Sequence, residues 1–91
     1  MKIRHKALRK FAASGDPRGL PAASVAKLAR ILHVLADART PEDARLPGFR
    51  LHLLTGGRLA GMWSIRVTAN WRIVFRLEGG EAVDIDLVDY H

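Results

Sequence analysis

The 91 residues contain no cysteine, which excludes a disulfide framework and any thiolate metal site. No apolar run is long enough to span a bilayer. The basic start, Met1-Lys2-Ile3-Arg4-His5-Lys6, is not followed by an apolar stretch of signal-peptide type, so a cytoplasmic location is expected. No glycine loop has the spacing that cradles phosphates; Gly56-Gly57 and Gly79-Gly80 read as turns. Acidic residues are scarce, nine against fifteen lysines and arginines, and the net charge is +6. That imbalance favours a polyanionic partner. Arginine outnumbers lysine, and its planar fork is the better phosphate ligand. The few aspartates that share a strand-like run, Asp84 and Asp86, are better explained by arginine pairing than by a metal, so neither metal nor cofactor is expected.

Hydrophobic residues make up 48% of the chain, enough for one domain over residues 1–91. Ile3 begins a short segment that could serve as a first strand. Ala7, Leu8, Phe11 and Ala12 recur at helical spacing, which predicts a helix over Lys6 to Ala12, stopped at Ser14-Gly15-Asp16-Pro17. A longer helix is predicted from about Pro21 to Arg39, with Val25, Leu28, Ile31, Leu32 and Leu35 on its apolar side and Lys27, Arg30 and Asp37 largely outside it. Thr40-Pro41-Glu42-Asp43 reads as a cap opening one helical turn. After Leu46-Pro47-Gly48 the period changes to two.

Phe49 to Leu53 alternates, with Arg50 and His52 on one side and Phe49, Leu51 and Leu53 on the other. Met62 to Thr68 and Trp71 to Leu77 alternate as well, with both tryptophans at core parity. Ala82 to Val88 closes the pattern. Burial selects the hairpin register. A two-residue loop at Gly79-Gly80 would mix apolar and acidic side chains on each face. A three-residue loop, Gly79 to Glu81, with a bulge, is therefore expected, putting Arg76 beside Asp84. The result is an α+β fold: two N-terminal helices on one face of a small, mainly antiparallel sheet of three or four strands. The other face, bearing Arg50, His52, Arg66, Arg72, Arg76, Asp84 and Asp86, is expected to be the open, working surface.

His52, Arg72 and the last three residues, Asp89-Tyr90-His91, are the candidate catalytic group. Metal-free RNA cleavage needs a base for the ribose 2′-hydroxyl, a cation for the phosphate and an acid for the leaving 5′-oxygen. Histidine serves either proton role near neutrality. Arginine supplies a fixed charge and a bidentate fork. Aspartate can orient an imidazole, and tyrosine can bond a phosphate or stack on a base. Arg50, Arg58, Arg66 and Arg76 are the candidate RNA-binding residues. The ordinary alternatives are a solvated His52, an Arg72 paired with Asp86 or Glu81, and His5 and His33 as surface residues.

The segments His5 to Phe11, Leu46 to His52, Trp63-Ser64-Ile65, Asn70-Trp71-Arg72-Ile73 and Val88-Asp89-Tyr90-His91 resemble HigB-type toxins of the RelE/ParE superfamily over nearly the whole length. The resemblance implies a ribosome-dependent mRNA endonuclease that cuts in the ribosomal A site without a metal. It also implies a HigA-type helix-turn-helix antitoxin, with operator DNA contacted only through the toxin–antitoxin complex, and no membrane. Carried over, His52 matches the family's strand histidine, Arg72 its phosphate-facing arginine, and Asp89, Tyr90 and His91 its C-terminal catalytic triplet. By these roles His91 is the base, His52 the acid or a phosphate ligand, Asp89 the orienter, Tyr90 a phosphate or base contact, and Arg72 the charge stabiliser. Two positions depart from the family pattern: Thr55 stands where many members have lysine, and Leu53 where they have proline. Arg58 is the candidate replacement for that lysine. The N-terminus is also shorter than is usual in the family, so the edge strand is expected to be abbreviated unless the start codon lies upstream. A gyrase-poisoning toxin on the same fold, and a non-catalytic member that acts only through antitoxin and operator binding, are the alternatives.

Overall fold

His5 caps the first helix: its Nδ1 accepts the Leu8 backbone N–H at 3.1 Å. In the computed structural model, which describes residues 1–89, this helix, α1, spans Lys6–Ser14. It stops at Gly15, which takes φ +76 and donates its N–H to the Phe11 carbonyl at 2.8 Å. Gly19 has φ +85, and a Cβ there would meet Ala7 Cβ at 3.0 Å. Glycine at 19 thus lets the connecting loop lie against α1. The second helix begins later than its proline suggests. Pro21 precedes a 3₁₀ turn at Ala22–Ser24, and α2 runs over Val25–Asp37. Its buried side is Leu28, Ile31, Leu32 and Leu35. The predicted turn after Thr40 forms as a 3₁₀ segment, Pro41–Ala44. There Asp43 Oδ2 accepts from the Arg39 and Thr40 N–H groups at 2.9 and 3.1 Å.

Four strands form one antiparallel sheet in the order β1-β2-β3-β4: β1 His52–Leu53, β2 Trp63–Arg66, β3 Trp71–Glu78 and β4 Glu81–Asp89. The sheet and helices make the expected α+β fold. Its core joins Leu8 and the α2 stripe to Phe49, Leu51, Ile65, Ile73, Phe75, Ile85 and Leu87. Trp63 and Trp71 pack half-buried against it, as their parity implied. The short first strand reduces to one parallel bridge, Ile3 with Ile85, on the outer edge of β4. Arg4 N–H donates to the Ile85 carbonyl at 2.7 Å, and Ile85 N–H to the Lys2 carbonyl at 3.1 Å.

The β3–β4 hairpin corrects the expected loop. It has two residues, with Glu78 opposite Glu81, Leu77 opposite Ala82 and Arg76 opposite Val83. Gly79 and Gly80 both have positive φ, +61 and +74, the signature of a type I′ turn. The parity mismatch is repaired further along. Val74 faces Asp86, so β4 carries one extra residue opposite Phe75. Asp84 absorbs it at φ +52, a region aspartate tolerates better than most residues. Phe75 and Ile85 are thereby both fully buried. Arg76 Nε donates to Asp84 Oδ2 at 3.0 Å, so the expected pairing is made by the bulge rather than the loop.

The first expected strand is also shorter. Arg50 takes φ +49, which breaks the extended run and leaves only His52–Leu53 in the ladder. Leu53, assigned to the apolar side, is 44% exposed at the sheet edge, and Leu54 is buried instead.

Candidate active site

β2 and β3 place two arginines directly across from one another, Arg66 opposite Arg72. Like charges in that position destabilise a ladder. On the neighbouring edge His52 lies opposite Ser64, and Ser64 lies opposite Val74. These residues share the sheet face turned away from the helices. The turn from β2 to β3 is held by Thr68 Oγ1, which accepts from the Asn70 and Trp71 N–H groups at 3.3 and 3.1 Å. Arg50 arrives from the other side, because the Phe49 carbonyl accepts the Arg66 N–H at 2.7 Å. That bond anchors the 46–50 turn against β2.

A cavity of about 190 Å³ opens between them, lined by Arg50, His52, Leu54, Ser64, Arg66 and Arg72. It is smaller than the roughly 300–1,000 Å³ of a pocket that buries a whole small molecule. Three guanidinium groups and one imidazole around so small a volume suit a single phosphodiester. The floor is apolar or weakly polar: Leu54 and Ser64 are both 7% exposed. Such a floor strengthens every charge interaction above it.

Of the candidate residues, Arg50, His52, Arg66 and Arg72 are thus brought together. Asp89 ends β4 and pairs in register with Trp71, the residue before Arg72. Tyr90 and His91 lie outside the described residues. Arg76 and Arg58 are not part of the cavity. Arg76 points toward the hairpin end, where it pairs with Asp84 and, at 3.2 Å, with Glu78. Arg58 sits on an exposed 3₁₀ turn, Gly57–Leu59, between β1 and β2, so its expected substitution for the family's lysine does not extend to lining the pocket.

Two cations were missed by the reading of the sequence. Lys27 Nζ donates to the Gly48 carbonyl at 3.0 Å. Partial burial, then the positive charges of Arg66, Arg30, Arg50 and Arg72, push its ammonium pKa below the ordinary value. Arg30 stands over the Phe49 ring, 5.2 Å from its centre. Helical periodicity had put both on the solvent side of α2. The available signal was their i, i+3 spacing, which sets them on one face. Leu54 could also have been found, since it shares parity with His52. Among the described residues no group of three His, Asp or Glu side chains could hold a metal ion.

A family model described as the RelE-like toxin of type II toxin–antitoxin system HigB matches residues 1–91. The chain is also 35% identical over 89 residues to a Proteus vulgaris protein named endoribonuclease HigB, covering 98% of this chain and 96% of the relative.

Proposed function

The chain belongs to the RelE-like HigB toxins of type II toxin–antitoxin systems, and from that premise we propose that it is an endoribonuclease that cuts messenger RNA in the ribosomal A site. Membership implies an antitoxin partner. The proposal adds that this partner is a HigA-type helix-turn-helix protein, that operator DNA is reached only through it, and that the toxin works in the cytoplasm. The observation that carries the ribonuclease reading is the cavity gathering His52 with Arg50, Arg66 and Arg72. No observation favours the gyrase-poisoning alternative.

In the proposed mechanism the scissile phosphate occupies that cavity. Arg72 spans its non-bridging oxygens and offsets the charge that grows as the 2′-oxygen attacks phosphorus. Arg66, directly opposite, shares that charge. His91 takes the 2′-hydroxyl proton. The bond from phosphorus to the 5′-oxygen breaks, and His52 returns a proton to that oxygen. The products are a 2′,3′-cyclic phosphate and a 5′-hydroxyl. Asp89 orients His91, and Tyr90 contacts phosphate or base. No step in this scheme draws on a metal held by the toxin's own residues.

The test is induced expression of the wild type and of His52→Ala, Arg72→Ala and His91→Ala, with growth followed and RNA 5′ ends mapped. Wild-type induction should arrest growth and produce new ends inside coding regions. Each variant should lose at least about 100-fold in cleavage rate, the lower range for a general acid–base or a charge-stabilising group. Fully toxic His52→Ala and His91→Ala proteins would overturn the site assignment. A wild type that is harmless when stably overproduced would favour the non-catalytic alternative.

A further inference from the structure

The positive surface does not stop at the cavity wall. Lys27 and Arg30 are not among its lining residues, yet Lys27 feels Arg50, Arg66 and Arg72 as well as Arg30. Lys27 and the four arginines within its electrostatic reach therefore make a cationic patch across the strand ends and α2. Elsewhere the basic residues often have acidic neighbours: Arg18 pairs with Asp16, Arg45 with Glu42, and Arg76 with Asp84. Among the described residues no carboxylate lies within ion-pair distance of Lys27, Arg30, Arg50 or Arg66. Concentrated like charge of this kind raises the free energy of the folded chain. A polyanion that bridges the patch would relieve it.

The orientation of the two extra cations is set by the fold. Lys27 is tied to the Gly48 carbonyl, and Arg30 stacks on the Phe49 ring. Both are thereby held against the turn that delivers Arg50. They stand about 4.5 Å apart along the helix axis, and each retains donors that its single contact does not use. A single phosphate in the cavity cannot use them, since they lie outside its wall.

We propose that Lys27 and Arg30 form a second phosphate subsite, in which each cation neutralises one RNA backbone phosphate beyond the cleaved bond. The choice of RNA over other polyanions rests on the endoribonuclease reading; the subsite itself rests on the patch. Lengthening the RNA past the cavity then increases affinity through interactions that contribute nothing to the chemistry of the scissile phosphate.

The test measures binding of fluorescently labelled 2′-O-methyl oligonucleotides, which cannot be cleaved, as a dinucleotide and as a hexanucleotide between 50 and 400 mM salt. For a single strand, each phosphate that is no longer neutralised by a side chain flattens the dependence of log K on log salt by about 0.7. Lys27→Gln/Arg30→Gln should therefore flatten the hexamer slope by about 1.4, which is about 25-fold in affinity at 0.1 M salt relative to 1 M. Dinucleotide affinity should stay within about twofold, and Arg45→Gln, whose arginine is paired with Glu42, should match the wild type on both probes. Lys27→Arg, which keeps the charge, should bind the hexamer as the wild type does. If Lys27→Gln does not fold, Arg30→Gln alone leaves the Gly48 tether in place and should flatten the slope by about 0.7. An unchanged slope, equal weakening on both probes, or no hexamer binding by the wild type at 50 mM salt would each overturn the subsite. A chain that is toxic and cleaves RNA with its slope untouched by these changes retains the ribonuclease and loses the subsite. A chain that binds through Lys27 and Arg30 but never cleaves does the reverse.

Discussion

Arg50 occupies a backbone region that costs a residue with a Cβ about 1 kcal/mol or more; its φ is +49. Glycine would sit there without strain. The arginine is held there by the Phe49–Arg66 backbone bond and contributes a guanidinium to the cavity wall. Strain retained at a charged wall residue is the pattern expected where function opposes stability. Arg50→Gly should raise the free energy of unfolding by up to about 1 kcal/mol in urea titrations while lowering RNA cleavage. An equal loss of stability and activity would show that Arg50 serves packing alone. At this scale His52 and Arg72 were legible, because strand parity and family resemblance agree on both. Lys27 was not, because an amphipathic stripe assigns every charged position on a helix to water. Its bond to the Gly48 carbonyl, distant in sequence, holds it beside the turn that carries Arg50.

At the scale of elements, the β3–β4 hairpin shows which local preference wins. Parity alone required one residue more on β4 than a two-residue loop supplies. Two adjacent glycines fit both left-handed positions of a type I′ turn, so the tight turn forms. The extra residue then moves to the next position that tolerates positive φ, which is Asp84. The need for a bulge was legible in the sequence; its position depended on weighing two turn chemistries against one another. Gly80→Ala places a Cβ at φ +74 and should destabilise the fold by about 1–2 kcal/mol. Asp84→Val puts a β-branched residue at φ +52 and removes the Arg76 partner, so it should cost more than Asp84→Asn. Thermal unfolding of the three variants checks the order. A loop that had taken up the extra residue would make Asp84→Val harmless. The same competition explains β1: parity predicted five alternating residues, but the Arg50 backbone leaves two in the ladder.

Across the whole molecule, charge is divided between two arrangements. One part of the surface carries local acid–base pairs; the other carries the cationic patch. The net charge was plain in the composition, but this segregation was not, since it depends on which strand ends meet α2. Several carboxyl groups ionise more readily than usual. Asp16 is lowered chiefly by its side-chain bond with Arg18, Glu42 by Arg45, and Asp84 by Arg76. Asp43 is lowered by the backbone N–H groups of Arg39 and Thr40, and Glu81 by the N-terminal ammonium. A carboxyl group whose pKa is lower folded than unfolded stabilises the fold while ionised. That contribution is complete above the unfolded values, near 3.8 for Asp and 4.5 for Glu, and is lost as pH falls through the folded ones. Glu42 and Asp43 are exposed and Asp16, Glu81 and Asp84 are partly so, which leaves each effect small and screened by salt. Acid also leaves the arginine patch unchanged while removing the negative charges that offset it, which adds repulsion. The midpoint of urea unfolding should therefore be nearly flat from pH 7 to about pH 5 and fall below pH 4.5, less steeply in 0.5 M salt than in 0.05 M. A midpoint that rose on acidification through this window would mean that the carboxyl groups are worth more neutral than ionised in the folded chain, and the acid-paired part of the surface would not be holding the fold.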